Sequence, residues 1–128
     1  MNTAIFSRKY KIKSSDLDEL KHVNNVRYVE WVQEIARSHW EALSHGSSFH
    51  EYIWVVTRHE INYLKELKQD DEIVISTWVG ETKGVRSVRH VEFHHESRLV
   101  AEAKTTWCLL NPNSLRPTLI SDELLNIL

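Results

Sequence analysis

The feature that most constrains the fold is one long amphipathic segment, after which the chain has mainly the pattern of β-strands. Between Asn24 and about Ser44 one set of side chains recurs every three or four residues, the spacing of a single helical face. These residues are Val29, Val32, Ala36, His39 and Leu43, with Tyr28, Trp31 and Ile35 widening the face. Asn24 or Asn25 can cap the first turn, and Gly46 stands just beyond the last. The sequence therefore predicts one helix with enough apolar surface to form the core of a domain.

Segments with a strand pattern flank this helix. Before it, "IFSRKYKIK" alternates Phe6, Tyr10 and Ile12 with lysines, the period of a half-buried strand. After it, β-branched and aromatic residues dominate four stretches, 52–65, 71–82, 85–97 and 98–111. Their separators are short, which predicts hairpins between strands three, four and five and a meander that begins at strand two. The final "ISDELLNIL" predicts a short helical turn, capped by Ser121 or Asp122, that acts as a lid or covers an edge.

This order of segments predicts an α+β fold in a single domain over residues 1–128. A five-stranded antiparallel sheet that wraps the long helix buries the apolar face of both. Strand two is apolar on both faces, since Ile53, Val55 and Ile61 alternate with Trp54 and Val56. A second copy of the chain would cover its outer face, so we expect a symmetric homo-oligomer.

Charge and cysteine content limit the possible partners. The 128 residues carry a formal net charge of −2 and a pI of about 6.4, whereas nucleic-acid binders usually have a strong basic excess. No apolar run approaches the roughly 20 residues that span a bilayer, and the start lacks the pattern of a signal peptide. Cys108, the single cysteine, is interpreted as a buried small hydrophobe. We expect a cytoplasmic protein with small-molecule or protein partners, and with no nucleic-acid or membrane partner.

The segment "SSDLDELKHVNNVRYVEW", Ser14 to Trp31, concentrates carboxylates, an imidazole and amides where the long helix begins. It resembles the signature Asp-x-Asp-x-x-x-His-Val-Asn-Asn-x-x-Tyr of hot-dog-fold acyl thioesterases. It is most similar to plant acyl-carrier-protein (ACP) thioesterases and to bacterial acyl-CoA thioesterases of the 4-hydroxybenzoyl-CoA type. The stretches "YLKELKQDDEIVISTWV" and "AKTTWCLLNPNSLRP" extend the resemblance over nearly the whole chain. The resemblance implies a hot-dog fold that hydrolyses acyl-CoA or acyl-ACP without a metal or a cofactor.

The same resemblance implies roles for the residues of the motif. Asp18 matches the catalytic carboxylate, which acts either as a nucleophile through an anhydride or as a general base on water. The first-turn N–H groups of Asn25 and Val26 lack helical partners and are predicted to bind the oxyanion. His22 and Asn25 are predicted to assist. Simpler interpretations stay open, namely a loop carboxylate for Asp18 and helix capping for His22 and Asn25, while Asp16 is interpreted as structural.

The chain departs from the family pattern at two positions. Plant relatives carry asparagine where Leu20 stands, and many bacterial relatives have glycine near Lys21. We therefore expect neither a second amide ligand nor a freely left-handed loop. The plant enzymes also contain two hot dogs in tandem, whereas this chain has one. The resemblance thus implies that a second copy is required, in a dimer or a tetramer.

Other side chains are candidates for substrate contact. Tyr28 and Trp31 either line an acyl tunnel or belong to the ordinary core. On the fourth strand, alternation directs Arg86 to one face and Arg89 to the other, where either can meet a CoA phosphate or simply solvate the strand. His39 is interpreted as a satisfied core or interface residue. The histidines of "HVEFHHE" are interpreted as surface residues rather than metal ligands.

Two other functions stay open at this point. A hot-dog hydratase or dehydratase uses an Asp/His pair on the same scaffold and acts on the same acyl carriers. A non-catalytic module would bind acyl-CoA without releasing thiol, which is compatible with the departures at Leu20 and Lys21. The acyl group and the choice between CoA and ACP also stay open.

Overall fold

A computed structural model describes residues 5–128, which form one sheet, a long helix packed against it and a short terminal helix. The strands are β1 (Phe6–Lys11), β2 (Ile53–Tyr63), β3 (Glu72–Lys83), β4 (Arg86–His95) and β5 (Arg98–Leu110). The α-helices are α1 (Asn25–Ser44) and α2 (Asp122–Ile127), and a single 3-10 turn spans Ser14–Asp16. The predicted order of one strand, one long helix and four strands is confirmed.

Helix α1 begins and ends where its capping residues predict. Asn24 is the N-cap, because its Oδ1 accepts a hydrogen bond from Val26 N–H at 3.0 Å. At the other end, His45 N–H donates to Glu41 O at 3.1 Å. Gly46 follows with a φ of +75°, a left-handed conformation that glycine adopts without strain. Both predicted boundaries are confirmed, and the capping residue is Asn24 rather than Asn25.

Neighbouring strands are all antiparallel, in the order β1-β3-β4-β5-β2. The predicted hairpins of β3, β4 and β5 are confirmed, but the predicted meander is wrong for β2, which pairs with β5 at the edge opposite β1. The connection to β3 crosses between these edges, since Leu64 N–H donates to Val100 O and Asp70 N–H to Ile12 O, both at 2.9 Å. Leu67 is buried in this crossing. The strands before and after α1 thus take opposite edges, and the sheet between them covers the apolar face of the helix.

The direction of α1 relative to β2 defines two ends of the molecule. Where α1 begins, the Tyr28 ring lies 5.1 Å from the ring of Tyr63, at the end of β2. Where α1 finishes, the Trp40 ring lies 5.6 Å from that of Trp54, at the start of β2. Helix and strand therefore run in opposite directions. We call the first of these the entry end and the second the far end.

Each end has its own apolar cluster. At the entry end the rings of Tyr28 and Phe93 are 5.3 Å apart in a T-shaped pair, and Trp31 packs beside both. At the far end, Ser121 Oγ caps α2 by accepting from Leu124 N–H at 3.2 Å, and Leu124 is fully buried. The predicted terminal helix and its role as a cover are confirmed. Within residues 5–128, no helix combines the length and the apolar character needed to cross a membrane.

Candidate active site

The loop that leads into α1 is held by Asp16. This carboxylate is buried and accepts hydrogen bonds from Arg27 Nε at 2.8 Å, Lys13 N–H at 2.8 Å and the Tyr10 hydroxyl at 2.9 Å. Asn24 N–H in turn donates to Asp16 O at 2.9 Å. Asp16 thus ties β1, the loop and the first turn of α1 together, in agreement with the structural role predicted for it.

Asp18 is exposed and organises the tip of the same loop. Its Oδ1 accepts from Leu20 N–H at 2.9 Å and from His22 N–H at 3.1 Å, and its own N–H donates to His22 O at 2.7 Å. These bonds occupy one carboxylate oxygen, and no described residue hydrogen-bonds to the other. The carboxylate is fixed by its own loop and remains open to solvent on one side.

Lys21 completes this turn in a left-handed conformation, with a φ of +63°. The expectation that a lysine here prevents a left-handed loop is therefore wrong. The turn is held by Lys21 N–H donating to Asp18 O at 3.0 Å, together with the two bonds to the Asp18 carboxylate. These bonds offset the roughly 1–2 kcal/mol that a left-handed conformation costs a residue with a Cβ.

His22 meets Asp18 through its backbone rather than through its ring. The imidazole is half exposed, and its Nε2 lies 3.5 Å from Glu66 Oε1, on the connection between β2 and β3. The structure therefore brings the Asp18 carboxylate and the His22 amide together, while the His22 side chain faces the mouth of the loop. From this position His22 orients the carboxylate through its N–H.

Asn25, in the first turn of α1, has a free backbone amide. Val26 N–H already donates to the Asn24 side chain, whereas Asn25 N–H donates to no residue of the described part of the chain. The positive end of the helix dipole adds to the preference of this amide for negative charge. The apolar side chains of Val26 and Leu20 are 63% and 75% exposed beside it. The start of α1 thus presents a free amide near exposed apolar side chains.

Tyr28 and Trp31, the predicted acyl-binding residues, lie beneath this turn. Both are buried in the aromatic cluster of the entry end. Burial and the neighbouring Tyr63 raise the pKa of Tyr28 to about 12, so its hydroxyl stays protonated at neutral pH. Neither residue lines the cavity at the far end. Their surroundings are those of the ordinary core, the simpler of the two interpretations.

A cavity of about 300 Å³ opens at the far end, between α1 and the sheet. Its walls are mainly apolar and aromatic. The lining residues are Gln33, Ala36, Arg37 and Trp40 from α1, Tyr52, Ile53, Trp54, Val79, Ser87, Arg89 and Trp107 from the sheet and the turn before it, and Leu128. A concave, largely apolar site with a few polar groups is typical of a small-molecule pocket.

Arg89 is the charged residue on the sheet side of this cavity. It is 6% exposed, and its Nη1 donates to His39 Nδ1 at 2.7 Å and to Thr77 Oγ1 at 3.2 Å. Burial lowers the pKa of Arg89 to about 10, so it stays charged at neutral pH. Burial, together with the Arg89 charge, lowers the pKa of His39 to about 4. A neutral His39 accepts through Nδ1 and carries its proton on Nε2, as a satisfied core residue.

Alternation on β4 placed Arg89 correctly but did not reveal the cavity. The predicted split is confirmed, since Arg89 and Ser87 are buried and Arg86 is exposed at the start of the strand. Trp107 lies on the inner face of β5 together with the buried Thr105, two residues before it. Alternation along this strand could therefore have assigned Trp107 to the cavity wall. Cys108, on the opposite parity, is buried and free, as predicted.

Asp18 and the cavity lie at opposite ends of one chain. Asp18 precedes α1, which has 20 residues and is therefore about 30 Å long, whereas the helical residues that line the cavity run from Gln33, near the middle of the helix, to Trp40. The loop brings the Asp18 carboxylate and the His22 backbone together at the entry end, just before α1 begins at Asn25. Arg89 is buried at the far end, separate from them. A single chain thus contains the predicted catalytic groups and the pocket without joining them.

Known proteins resemble this chain in sequence and in fold. It is 26% identical over 121 residues to the long-chain acyl-CoA thioesterase FadM of Escherichia coli, and the match covers 89% of each protein. A predicted thioesterase from Bacillus stearothermophilus superimposes with a TM-score of 0.85 at 19% identity, over 96% of this chain and 92% of that one. A variant of 4-hydroxybenzoyl-CoA thioesterase, solved with 4-hydroxybenzoyl-CoA, gives a TM-score of 0.85 at 12% identity, over 96% and 97%.

These solved structures confirm the predicted fold, a hot dog in which a five-stranded antiparallel sheet packs around one long helix. The family described as acyl-ACP thioesterase, N-terminal domain, matches residues 3–128 of the sequence. The match includes the acidic loop, the start of α1, the sheet and the terminal helix. The chain therefore belongs to the acyl-ACP thioesterase family and is a thioester hydrolase.

Proposed function

We propose that this protein hydrolyses acyl-CoA thioesters as a two-fold homodimer, in which Asp18 of one copy acts on an acyl group held in the cavity of the other. The observations that carry the proposal are an exposed, loop-fixed carboxylate at Asp18 and a free backbone amide at Asn25, where the same loop enters α1. The relatives named for acyl-CoA and 4-hydroxybenzoyl-CoA favour CoA as the carrier over ACP.

The chemistry follows from what a thioester needs. The carbonyl carbon must be attacked while its oxygen becomes negative, so a base or nucleophile and an N–H donor must flank it. Asn25 N–H is the better oxyanion donor, since Val26 N–H already donates to the Asn24 cap. As attack proceeds the C–S bond breaks, the thiolate leaves and takes up a proton, and the acid is released.

Asp18 has two possible roles in this reaction. As a general base it removes a proton from the attacking water, and as a nucleophile it forms an anhydride that water then opens. A single turnover in oxygen-isotope-labelled water tests for the anhydride. Label on Asp18 would show an anhydride opened at the Asp18 carbonyl, whereas label in the product acid alone is expected both for the base route and for an anhydride opened at the acyl carbonyl. The solvent-open side of the carboxylate favours the base route, because a water has direct access to it.

The dimer is proposed from the open edge of β2. In the described residues β2 pairs on one side only, with β5, and Ile53, Val55 and Tyr63 leave large apolar side chains exposed along it. An unpaired strand edge is a template for another strand. Two copies of β2 paired antiparallel about a two-fold axis would place the entry end of each chain beside the far end of its partner. The partner's Asp18 would then approach the cavity.

The residues proposed for substrate contact divide between the carrier and the acyl group. Arg86, exposed at the start of β4, is available to a phosphate of CoA. Arg89 is buried beside the cavity and is available to the acyl group instead. Tyr28 and Trp31 support the turn that carries Asn25 by packing beneath it.

The direct test is a thiol-release assay over short, medium, long and aromatic acyl-CoA thioesters, with acyl-ACP thioesters of the same chains in parallel. We expect release of CoA-SH from at least one acyl-CoA at a rate that saturates with substrate. Water addition to 2-enoyl-CoA is assayed beside it. Binding without thiol release from any thioester would contradict the proposal in favour of a binding module, and hydration of the enoyl thioester alone would favour a hydratase.

A further inference from the structure

The cavity at the far end contains a buried cation without a counter-ion. Arg89 donates to two neutral acceptors, His39 and Thr77, through Nη1 alone. No carboxylate within residues 5–128 forms an ion pair with it. Burying an unpaired charge is strongly unfavourable, and ligand-free arginines are normally solvated or paired with an acid. Arg89 therefore has the surroundings of a binding residue whose anion comes from outside the chain.

The donors that Arg89 leaves free match a carboxylate. Nε and Nη2 donate to no residue in the described part of the chain, and together they form the side of the guanidinium that engages two carboxylate oxygens in parallel. The interaction of Nη1 with His39 and Thr77 fixes the plane of the group. A fixed guanidinium presents its remaining donors in one orientation, which favours a planar two-oxygen ligand.

The rest of the lining fits an anion on an apolar stem. The cavity wall contains no aspartate or glutamate side chain among the residues described, and Arg37 adds a second positive charge on the helix side. The indole Nε1–H of Trp107, also in the wall, is buried and donates to no described group. Trp40 and Trp54 provide apolar surface for the stem of the ligand. The cavity thus combines unused hydrogen-bond donors with aromatic walls.

We propose that the acyl group hydrolysed by this enzyme ends in a carboxylate, which Arg89 binds inside the cavity while the thioester lies at the entry end of the partner copy. The substrate class is the mono-thioester of a dicarboxylic acid. The inference rests on the proposed function, since it takes the cavity as the site of the acyl group. The volume of about 300 Å³ is at the lower end of the range for small-molecule sites, which favours a short or medium chain.

The test uses CoA thioethers, which cannot be hydrolysed, so that its outcome does not depend on turnover. S-carboxypentyl-CoA and S-hexyl-CoA have equal numbers of carbons and differ only in the terminal group, and matched shorter and longer pairs extend the series. Calorimetric titration of the unaltered protein is expected to give a Kd about tenfold lower, or more, for the carboxylate-ended member of at least one pair. Equal or weaker binding of that member at every length, or no binding of either member, overturns the inference.

Three variants locate the effect. Arg89→Met keeps the apolar stem and removes the guanidinium, and it is expected to abolish the carboxylate preference. Arg98→Met removes an exposed guanidinium from β5 and is expected to retain the preference in full. Arg89→Lys keeps a positive charge without the fork and is expected to retain part of it, and this variant decides the matter where Arg89→Met does not fold. A preference that survives in both Arg89 variants overturns the assignment to Arg89.

The dicarboxylic substrate and the proposed function can be rejected independently of each other. Thiol release from ordinary acyl-CoA with no carboxylate preference among the thioethers rejects the dicarboxylic substrate and keeps the thioesterase. A carboxylate preference without thiol release from any thioester, dicarboxylic ones included, rejects hydrolysis and keeps Arg89 as an anion-binding residue.

Discussion

The two ends of α1 differ in almost every physical respect. At the entry end the predicted catalytic groups are at the surface, with Asp18 exposed, the Asn25 amide unpaired among the described residues and the aromatic core closed beneath them. At the far end the surface is closed by α2, and a cavity penetrates the interior beside the buried cation Arg89. The predicted catalytic groups and the cavity are thus separated along one helix. On the proposed function, a second copy of the chain is needed to bring them together.

The largest expected effect comes from removing the carboxylate of the entry end. Asp18→Asn is expected to lower kcat by about a hundredfold or more, in the range for loss of a catalytic acid or base, while analogue binding at the far end is unchanged. Glu19→Gln, an exposed change one residue along the same loop, is the control and is expected to keep the rate. Steady-state thiol release measures both, and equal kcat values for the two variants would remove Asp18 from the mechanism.

The next prediction tests whether turnover requires two copies of the chain paired through β2. Val55→Lys puts a charge on the open edge of β2, where like charges would face each other across a two-fold axis. We expect the dimer to dissociate and turnover to fall in proportion to the dimer lost. Ser7→Lys, at the opposite edge of the sheet on β1, is expected to change neither. Analytical ultracentrifugation and thiol release are measured on the same samples, and a fully active Val55→Lys monomer would contradict the proposed dimer.

A moderate effect is expected on the pH dependence of the free energy of unfolding, to which the buried His39 contributes. Burial and the Arg89 charge lower the pKa of His39 to about 4 in the folded protein, from 6.5 in the unfolded chain. Unfolding therefore takes up a proton between these values. The free energy of unfolding should fall as pH drops from about 6.5 towards about 4, by up to about 1.4 kcal/mol per pH unit.

Above pH 6.5, the pKa of His39 in the unfolded chain, the imidazole is neutral in both the folded and the unfolded state. The free energy of unfolding then no longer depends on pH through His39. Urea unfolding at a series of pH values measures it by comparison with His39→Gln, which keeps an acceptor for Arg89 but does not titrate. The variant should show a shallower decline below pH 6.5, whereas His45→Gln, at an exposed position, should follow the unaltered protein. Identical curves for the unaltered protein and His39→Gln would exclude a depressed pKa at His39.

The smallest effect tests the strain in the loop of the entry end. Lys21→Gly relieves a left-handed residue, with a φ of +63°, but increases the freedom of the unfolded chain. The two effects oppose each other, and relief of strain is the larger, so the free energy of unfolding should rise by less than about 1 kcal/mol. Thermal unfolding checks this against Lys68→Gly, at an exposed loop position that does not have a positive φ. A destabilised Lys21→Gly would contradict the presence of strain.

Local patterns predicted the entry end well. The helical period and the asparagine pair located the start of α1, and the motif placed Asp18 and His22 in the loop that leads into this helix and Asn25 at its first position. Which asparagine caps the helix depends on the hydrogen bond from Val26 N–H, and two adjacent asparagines are equal candidates until that bond is seen. The left-handed Lys21 was missed because its cost is offset by bonds to Asp18 that the sequence does not display.

The far end was predicted less completely because its features are not local. Alternation assigned Arg89 to the inner face, but the position of β2 beside β5 depends on how the sheet wraps α1, which short separators do not reveal. A cavity is the space left when bulky side chains from several elements, here Trp40, Trp54 and Trp107, fail to fill the interior. The periodicity of a single segment does not reveal the volume that side chains from several segments leave empty.

The most direct test of the shared site is complementation between two inactive variants. Asp18→Asn keeps the cavity and loses the carboxylate, and Ala36→Phe fills the cavity and keeps the carboxylate. Each is first shown to be folded by its thermal unfolding. When they are mixed and allowed to exchange subunits, every heterodimer should contain one intact site, built from Asp18 of one chain and the cavity of the other, and thiol release should return. If the mixture remains as inactive as the separate variants while heterodimers are present, Asp18 does not serve the cavity of its partner.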